Sequence, residues 1–152
     1  MPKSEFLRAF LAENVPLVGS ELAEANLVTL LGLTQDADLS NRNWATFILA
    51  QEAIDTEMVR ETLINAARDS DIKVRAEAVL GLAIRDARVA LPFVQEALRD
   101  STVNIVMLEA AGICAHPSLV DDLRVWAEPS DHPSVDKAAA KALRSCEAAL
   151  TN

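Results

Sequence analysis

D-I-K-V-R-A-E-A-V-L-G-L-A-I-R-D at residues 71–86, followed by A-R-V-A-L-P-F-V-Q-E-A-L-R-D at residues 87–100, decides the fold. Val74, Ala78, Val79, Leu82 and Ala83 recur at the spacings of one helix face, with Arg75, Glu77 and Arg85 mostly off it. Val89, Phe93, Val94, Ala97 and Leu98 make a second stripe. Between the two, Asp86 can cap the second helix by accepting from its free first-turn N–H groups. Pro92 fits only if it lies in the first turn, where no backbone donor is needed. The unit therefore reads as two short antiparallel helices closed by Asp100.

Neighbouring stretches repeat this unit. Shifted back by 33 residues, Asp71, Ile72, Arg75, Ala78, Leu82 and Ala83 meet Asp38, Leu39, Arg42, Ala45, Leu49 and Ala50. Shifted forward by 31, Asp69, Ser70, Ile72, Val74, Gly81 and Leu82 meet Asp100, Ser101, Val103, Ile105, Gly112 and Ile113. A last half-copy puts Val135 under Val74, Ala139 under Ala78 and Leu143 under Leu82. A helix-pair period near thirty marks a solenoid. The expected fold is all-α: a right-handed superhelix of stacked antiparallel helix pairs, with about nine helices and no sheet.

At Asp71, Val74, Arg75, Ala78, Gly81 and Leu82 the unit resembles the HEAT-like repeat family, in the short form known from phycobilin lyases. Its pattern is D-x-x-V-R-x-x-A-x-x-A-L-G, then a second helix and a closing aspartate. The resemblance covers roughly residues 38–150 and departs in the third unit, where Val106 replaces the arginine. It implies a fold and not a chemistry, since members include scaffolds, enzyme subunits and nucleic-acid enzymes.

The 152 residues read as one domain, 1–152, with 1–37 a degenerate N-terminal cap and 38–150 the repeats. Hydrophobic residues make up 51% and aromatic ones 4%, with no tyrosine, so the core is aliphatic and alanine-rich. Four glycines leave little room for hairpins or phosphate loops. The start M-P-K-S-E-F-L-R-A-F-L-A-E-N is broken by charges, so no signal peptide or membrane span is expected and a cytoplasmic location follows. The net charge of −9 argues against nucleic acid, which is usually met by basic patches. Only residues 72–103 are net positive, through Lys73, Arg75, Arg85, Arg88 and Arg99.

Along the chain, Ser4–Glu13 forms a first helix with Phe6, Leu7, Phe10 and Leu11 on one side. Ser20 caps a second that ends near Gly32. The clear pairs are 41–52 with 57–69, 71–85 with 89–99, and 103–114 with 118–127. A final helix over 135–150 turns Ala138, Ala139, Ala142, Leu143, Cys146 and Ala149 inward, and Asp136, Lys137, Lys141 and Arg144 outward. Ser40, Ser70 and Ser101 beside the inter-unit aspartates suit turns and caps.

No constellation points to catalysis. His116 and His132 each precede a proline in loops at opposite ends of the helices. With Cys114 and Cys146 they match no compact zinc spacing, and Cys114 aligns with Ala83 as a buried thiol. Asp121 and Asp122 open a helix, where carboxylates are favoured. No cofactor or metal is expected. The reading is a non-catalytic scaffold or adaptor for another protein, with no nucleic-acid or membrane partner.

Adjacent second helices of a solenoid line one surface, and in HEAT-like families it commonly meets the partner. Its contributors would be Arg60, Glu61, Gln95, Arg99 and Arg124. Trp44 aligns with Glu77, a position the pattern leaves exposed. Either the leading helices cover it or it is a partner-binding hot spot; cover is the favoured expectation, with residues 1–33 folded over it. Trp126 is expected to pack at the end of its helix. The resemblance also suggests two alternatives, a subunit of a bilin lyase-type enzyme and a DNA-binding repair protein, the second opposed by the acidity. Because a structural zinc contributes folding energy directly, a strong chelator should leave the melting temperature unchanged; a large drop would restore the cysteine–histidine cluster.

Overall fold

The computed structural model describes residues 1–13 and 15–151. Asn14 in the N-terminal run and Asn152 at the end of the expected domain lie outside the described residues. The chain is all-α: nine α-helices and one 3-10 turn, with no strand among the described residues. Two compact units divide it, Met1–Ala78 and Val79–Asn152. No helix of the described residues is long and apolar enough to cross a membrane.

The first unit holds α1 (Glu5–Glu13), α2 (Glu21–Leu33), α3 (Leu39–Gln51), α4 (Glu57–Ala66) and the start of α5 (Ile72–Arg85). α3 is central, packed against α1, α2 and α4. Its interior is aliphatic: Leu7, Leu30, Ala45, Leu49, Val59 and Leu63 have no exposed surface. Of the expected α1 stripe, Leu7 is buried and Phe6 and Phe10 are half-buried, whereas Leu11 faces solvent. α1 has only nine residues, too short to bury a second turn of the same face.

Helix starts follow local chemistry. Ser20 caps α2 by accepting from Ala23 N, and Asp38 caps α3 by accepting from Ser40 N and Asn41 N. Asp71 does the same for α5, accepting from Lys73 N at 2.9 Å and Val74 N at 3.3 Å. The aspartates, and not the adjacent Ser40 and Ser70, are the caps. Asn104 takes that place at α7, accepting from Met107 N.

These turns repeat in detail. Asp36 accepts from Asp38 N at 2.8 Å, and Asp69 accepts from Asp71 N at 2.9 Å. Arg42 donates back to the carbonyls of Asp36 and Ala37, and Arg75 to those of Asp69 and Ser70. Arg42 also grips the Asp69 carboxylate with two nitrogens, at 2.9 and 3.3 Å. The Arg42 and Asp69 side chains are only 17% and 12% exposed. The N-terminal segment is pinned to the same end of the unit: Lys3 N and Ser4 N both donate to Asn41 Oδ1, and Lys3 pairs with Asp38.

The second unit holds the rest of α5, then α6 (Ala87–Leu98), α7 (Ile105–Cys114), the 3-10 turn Pro117–Leu119, α8 (Val120–Trp126) and α9 (Pro133–Leu150). α7 packs against α6 and α9, and α9 against α8. Small residues bring α7 and α9 together. Ala111, Ala139 and Ala142 are buried, and a Cβ added at Gly112 would lie 3.5 Å from Ala142 Cα. α7 ends on Ala115 in the left-handed region, at φ 46°, a conformation costing roughly 1–2 kcal/mol for a residue with a Cβ.

Several expectations need correction here. Asp86 caps α6 by accepting from Arg88 N, so the helix starts at Ala87 and Pro92 falls beyond its first turn. Pro92 supplies no N–H to the turn before it, and it is tolerated on an exposed face. Ala90, Val94 and Leu98 form the buried stripe of α6, while Val89, Phe93 and Ala97 are half-buried. Glu77 is half-buried and not free. The helix expected over 118–127 opens instead as a 3-10 turn, because Pro117 lacks an N–H and His116 Nδ1 accepts from Ser118 N. Asp136 turns back to Ser130, accepting from its N at 2.8 Å and its Oγ at 2.6 Å, and so closes the joint before α9.

Leu82 is buried in α5 as the stripe requires, so Leu82→Ala should cost about 2–5 kcal/mol in urea denaturation. Burial opposes ionisation of Asp69, but the Arg42 guanidinium, the Asp71 N–H and the charge of Arg75 outweigh it and hold the carboxyl below its ordinary value. That stabilisation is complete above the ordinary carboxylate range, near pH 4, and is lost as pH falls through the lower folded value. Asp69→Asn should therefore cost about 1–2 kcal/mol at neutral pH, with variant and parent converging in acid; a constant difference down to the most acid pH would exclude the charge as its source.

Candidate functional site

The second helices α4, α6 and α8 carry four of the six residues expected to contact a partner, and a fifth, Arg99, is the C-cap of α6. In the first unit, Arg60 and Glu61 sit side by side on α4. Arg60 clamps Asp55, just before α4, through two bonds of 2.7 and 2.8 Å, and Met58 is exposed on the other side of the buried Val59 stripe. Glu61 points to solvent. Trp44 is not on this surface. It lies on α3, half-buried, with its ring edge-on to Phe47 at 5.9 Å and 88°. Phe47 itself is 40% exposed, so the ring pair is partly open to solvent.

In the second unit, Gln95, Arg99 and Arg124 come together through side chains the sequence did not single out as their partners. Gln95 Nε2 donates to Ser118 Oγ at 2.9 Å, which ties α6 to the 3-10 turn. Arg99 pairs with Asp122 at 3.4 Å. Arg124 lies 3.5 Å from both Asp121 and Glu147, linking α8 to α9. Trp126 donates its indole N–H to the Leu98 carbonyl at 2.7 Å, so it is a half-buried brace between α8 and α6. The result is a strip of alternating charge crossing α6, α8 and α9, with Val125 exposed within it. Exposed pairs of this kind contribute roughly 0–1 kcal/mol each to stability. They set opposite charges next to one another along the strip.

Burial pushes the Cys114 thiol up to about 11, the nearby Cys146 adding to it, so the thiol stays protonated near neutrality. Cys114 is half-buried rather than fully enclosed, and Cys146 is buried and also raised by burial. Both sulfurs face main-chain carbonyls, of Ala87 and Ala111 respectively. His116 Nδ1 is 2.8 Å from Ser118 Oγ, and the His132 side chain makes no cap bond to α9. Among the described residues, no three His, Cys, Asp or Glu side chains are grouped to hold a metal ion.

Two open clefts of about 480 and 420 Å³ lie at the turn end of the first unit. The larger follows the Arg42–Asp69 pair between Asp36 and Ser70, and the smaller lies between Asp38 and Asp71 with Lys3 and Lys73 at its edge. Both are shaped by the turns before α3 and α5, where Asp36, Asp38, Asp69 and Asp71 are engaged in capping and pairing.

HEAT repeats are matched over residues 27–114. Protein YibA of Escherichia coli K12 is 30% identical over 89 residues, covering 59% of this chain and 32% of YibA. YibA of Escherichia coli O157:H7 matches to the same extent. The X-ray structure of Escherichia coli YibA superposes with a TM-score of 0.63 at 22% identity, over 92% of this chain and 54% of that one. The chain thus spans about a third of the length of the curated relatives it matches, and the structural likeness places the fold among helical solenoids.

Proposed function

Since the chain belongs to the HEAT-repeat family, we propose that it is a non-catalytic protein-binding module whose second helices supply the contact surface. The observation that carries this reading is the fixed strip of Gln95, Arg99 and Arg124, each held by a neighbouring side chain beside the exposed Val125. Charges already immobilised lose less side-chain entropy on binding, and alternating signs select among partners by complementarity. The partner is another protein.

The test is capture from a lysate of the source organism with the immobilised full chain. A specific protein should be retained. Arg99→Glu with Arg124→Glu should weaken its retention about tenfold or more, equivalent to about 1.4 kcal/mol, while the melting temperature stays nearly constant. Retention indifferent to both charge reversals would discard this surface. A covalent bilin adduct, or a salt-sensitive shift of DNA without protein capture, would discard the reading itself.

A further inference from the structure

α2 presents an apolar face on both sides. Inward, Ala23, Leu30 and Leu31 are buried against the first unit. Outward, Leu22 is 67% and Val28 62% exposed. Ala25, Thr29 and Gly32 are exposed on the same side. These five fall at three- and four-residue steps along one helix face, and a Cβ added at Gly32 would meet nothing within 4 Å. Large side chains flanking small ones form the ridge-and-groove relief against which another helix packs.

The charge around this face has one sign. No lysine or arginine occurs between Arg8 and Arg42. Glu21 lies one turn before Ala25 and Glu24 one turn before Val28, and among the described residues neither carboxylate is engaged in an ion pair. Both favour the start of α2, yet they also leave the apolar face with an exclusively acidic edge. A second copy would bring only another acidic edge and no cation from this helix, and an anionic bilayer surface attracts cations and repels such an edge.

We infer that the outward face of α2 docks a basic amphipathic helix of a protein partner, with apolar side chains on Leu22, Ala25 and Val28 and Lys or Arg side chains at the Glu21–Glu24 end. This rests on the reading of the chain as a binding module but uses a different helix. The partner's cations would find carboxylates not already neutralised, while its apolar stripe would cover side chains the fold leaves in water.

The full chain would be titrated with a fluorescent model helix of about five turns, made of Leu and Lys with Leu at i, i+3, i+4 and i+7. A Leu/Glu peptide of the same pattern serves as its control. The Leu/Lys helix should bind at least about tenfold more tightly than the control, and Leu22→Ser with Val28→Ser should weaken it about tenfold without altering the melting temperature. Because both positions are exposed, the variant should fold as the parent does. Binding indifferent to Leu22 and Val28, or equal for the two peptides, would overturn the proposal. So would a concentration-dependent dimer, or binding to phosphatidylserine vesicles, that the same variant abolishes. Failure here with intact, charge-dependent lysate capture would sink only the α2 face, and the converse would sink only the second-helix strip.

Discussion

The grip of Arg42 on Asp69 organises the first unit. One residue answers three needs there. The Asp69 carboxylate accepts two bonds from a guanidinium carried by α3 and the Asp71 N–H in its own turn, and its main-chain carbonyl receives Arg75. A turn between helix pairs exposes unpaired main-chain groups, and it has few residues with which to satisfy them. Repeating Asp-x-Asp followed by an arginine solves the problem twice, at Asp36–Asp38–Arg42 and at Asp69–Asp71–Arg75. Most of the pair is shielded from water, so its charges are screened less than those of a surface bridge.

The second unit is held differently. Val106 stands where the arginine would be, and Asn104 replaces the aspartate as cap. Cohesion there comes from close approach of α7 and α9 through Ala111, Gly112, Ala139 and Ala142, with Leu108, Leu119 and Leu123 filling the space between helices. Dispersion and burial reward such dense packing without any polar partner. Trp126 adds one directed bond to Leu98. The two halves thus show two ways to join consecutive helix pairs, a polar clasp at the turns and small-residue packing along the helices.

Helices α2 and α9 differ as well. α9 turns Lys137, Lys141 and Arg144 to solvent, whereas α2 turns out Leu22, Ala25 and Val28. A helix apolar on both faces usually lies inside a protein, so α2 carries the surface with the strongest unmet tendency toward contact. The charged strip across α6, α8 and α9 is of another kind: its side chains already have partners, and recognition there would work by complementarity of fixed charges.

Much of this was legible in the residues alone. The thirty-residue period, the stripe of Val74, Ala78 and Leu82, and the caps Ser20 and Asp86 depend on contacts within four residues along the chain, so the nine helices were readable to within a few residues of their ends. The departures arose wherever a result depended on how a helix is rotated or what another helix brings to it. Pro92 lies beyond the first turn because Asp86 starts α6 early. Trp44 is half-covered because Phe47 stands beside it, and Leu11 is left open by a short α1. Arg99, Arg124 and Gln95 could be named as surface residues, but their partners Asp122, Glu147 and Ser118 come from other elements. Periodicity determines which residues share a face; only packing between distant segments decides which face is buried, how far, and against what.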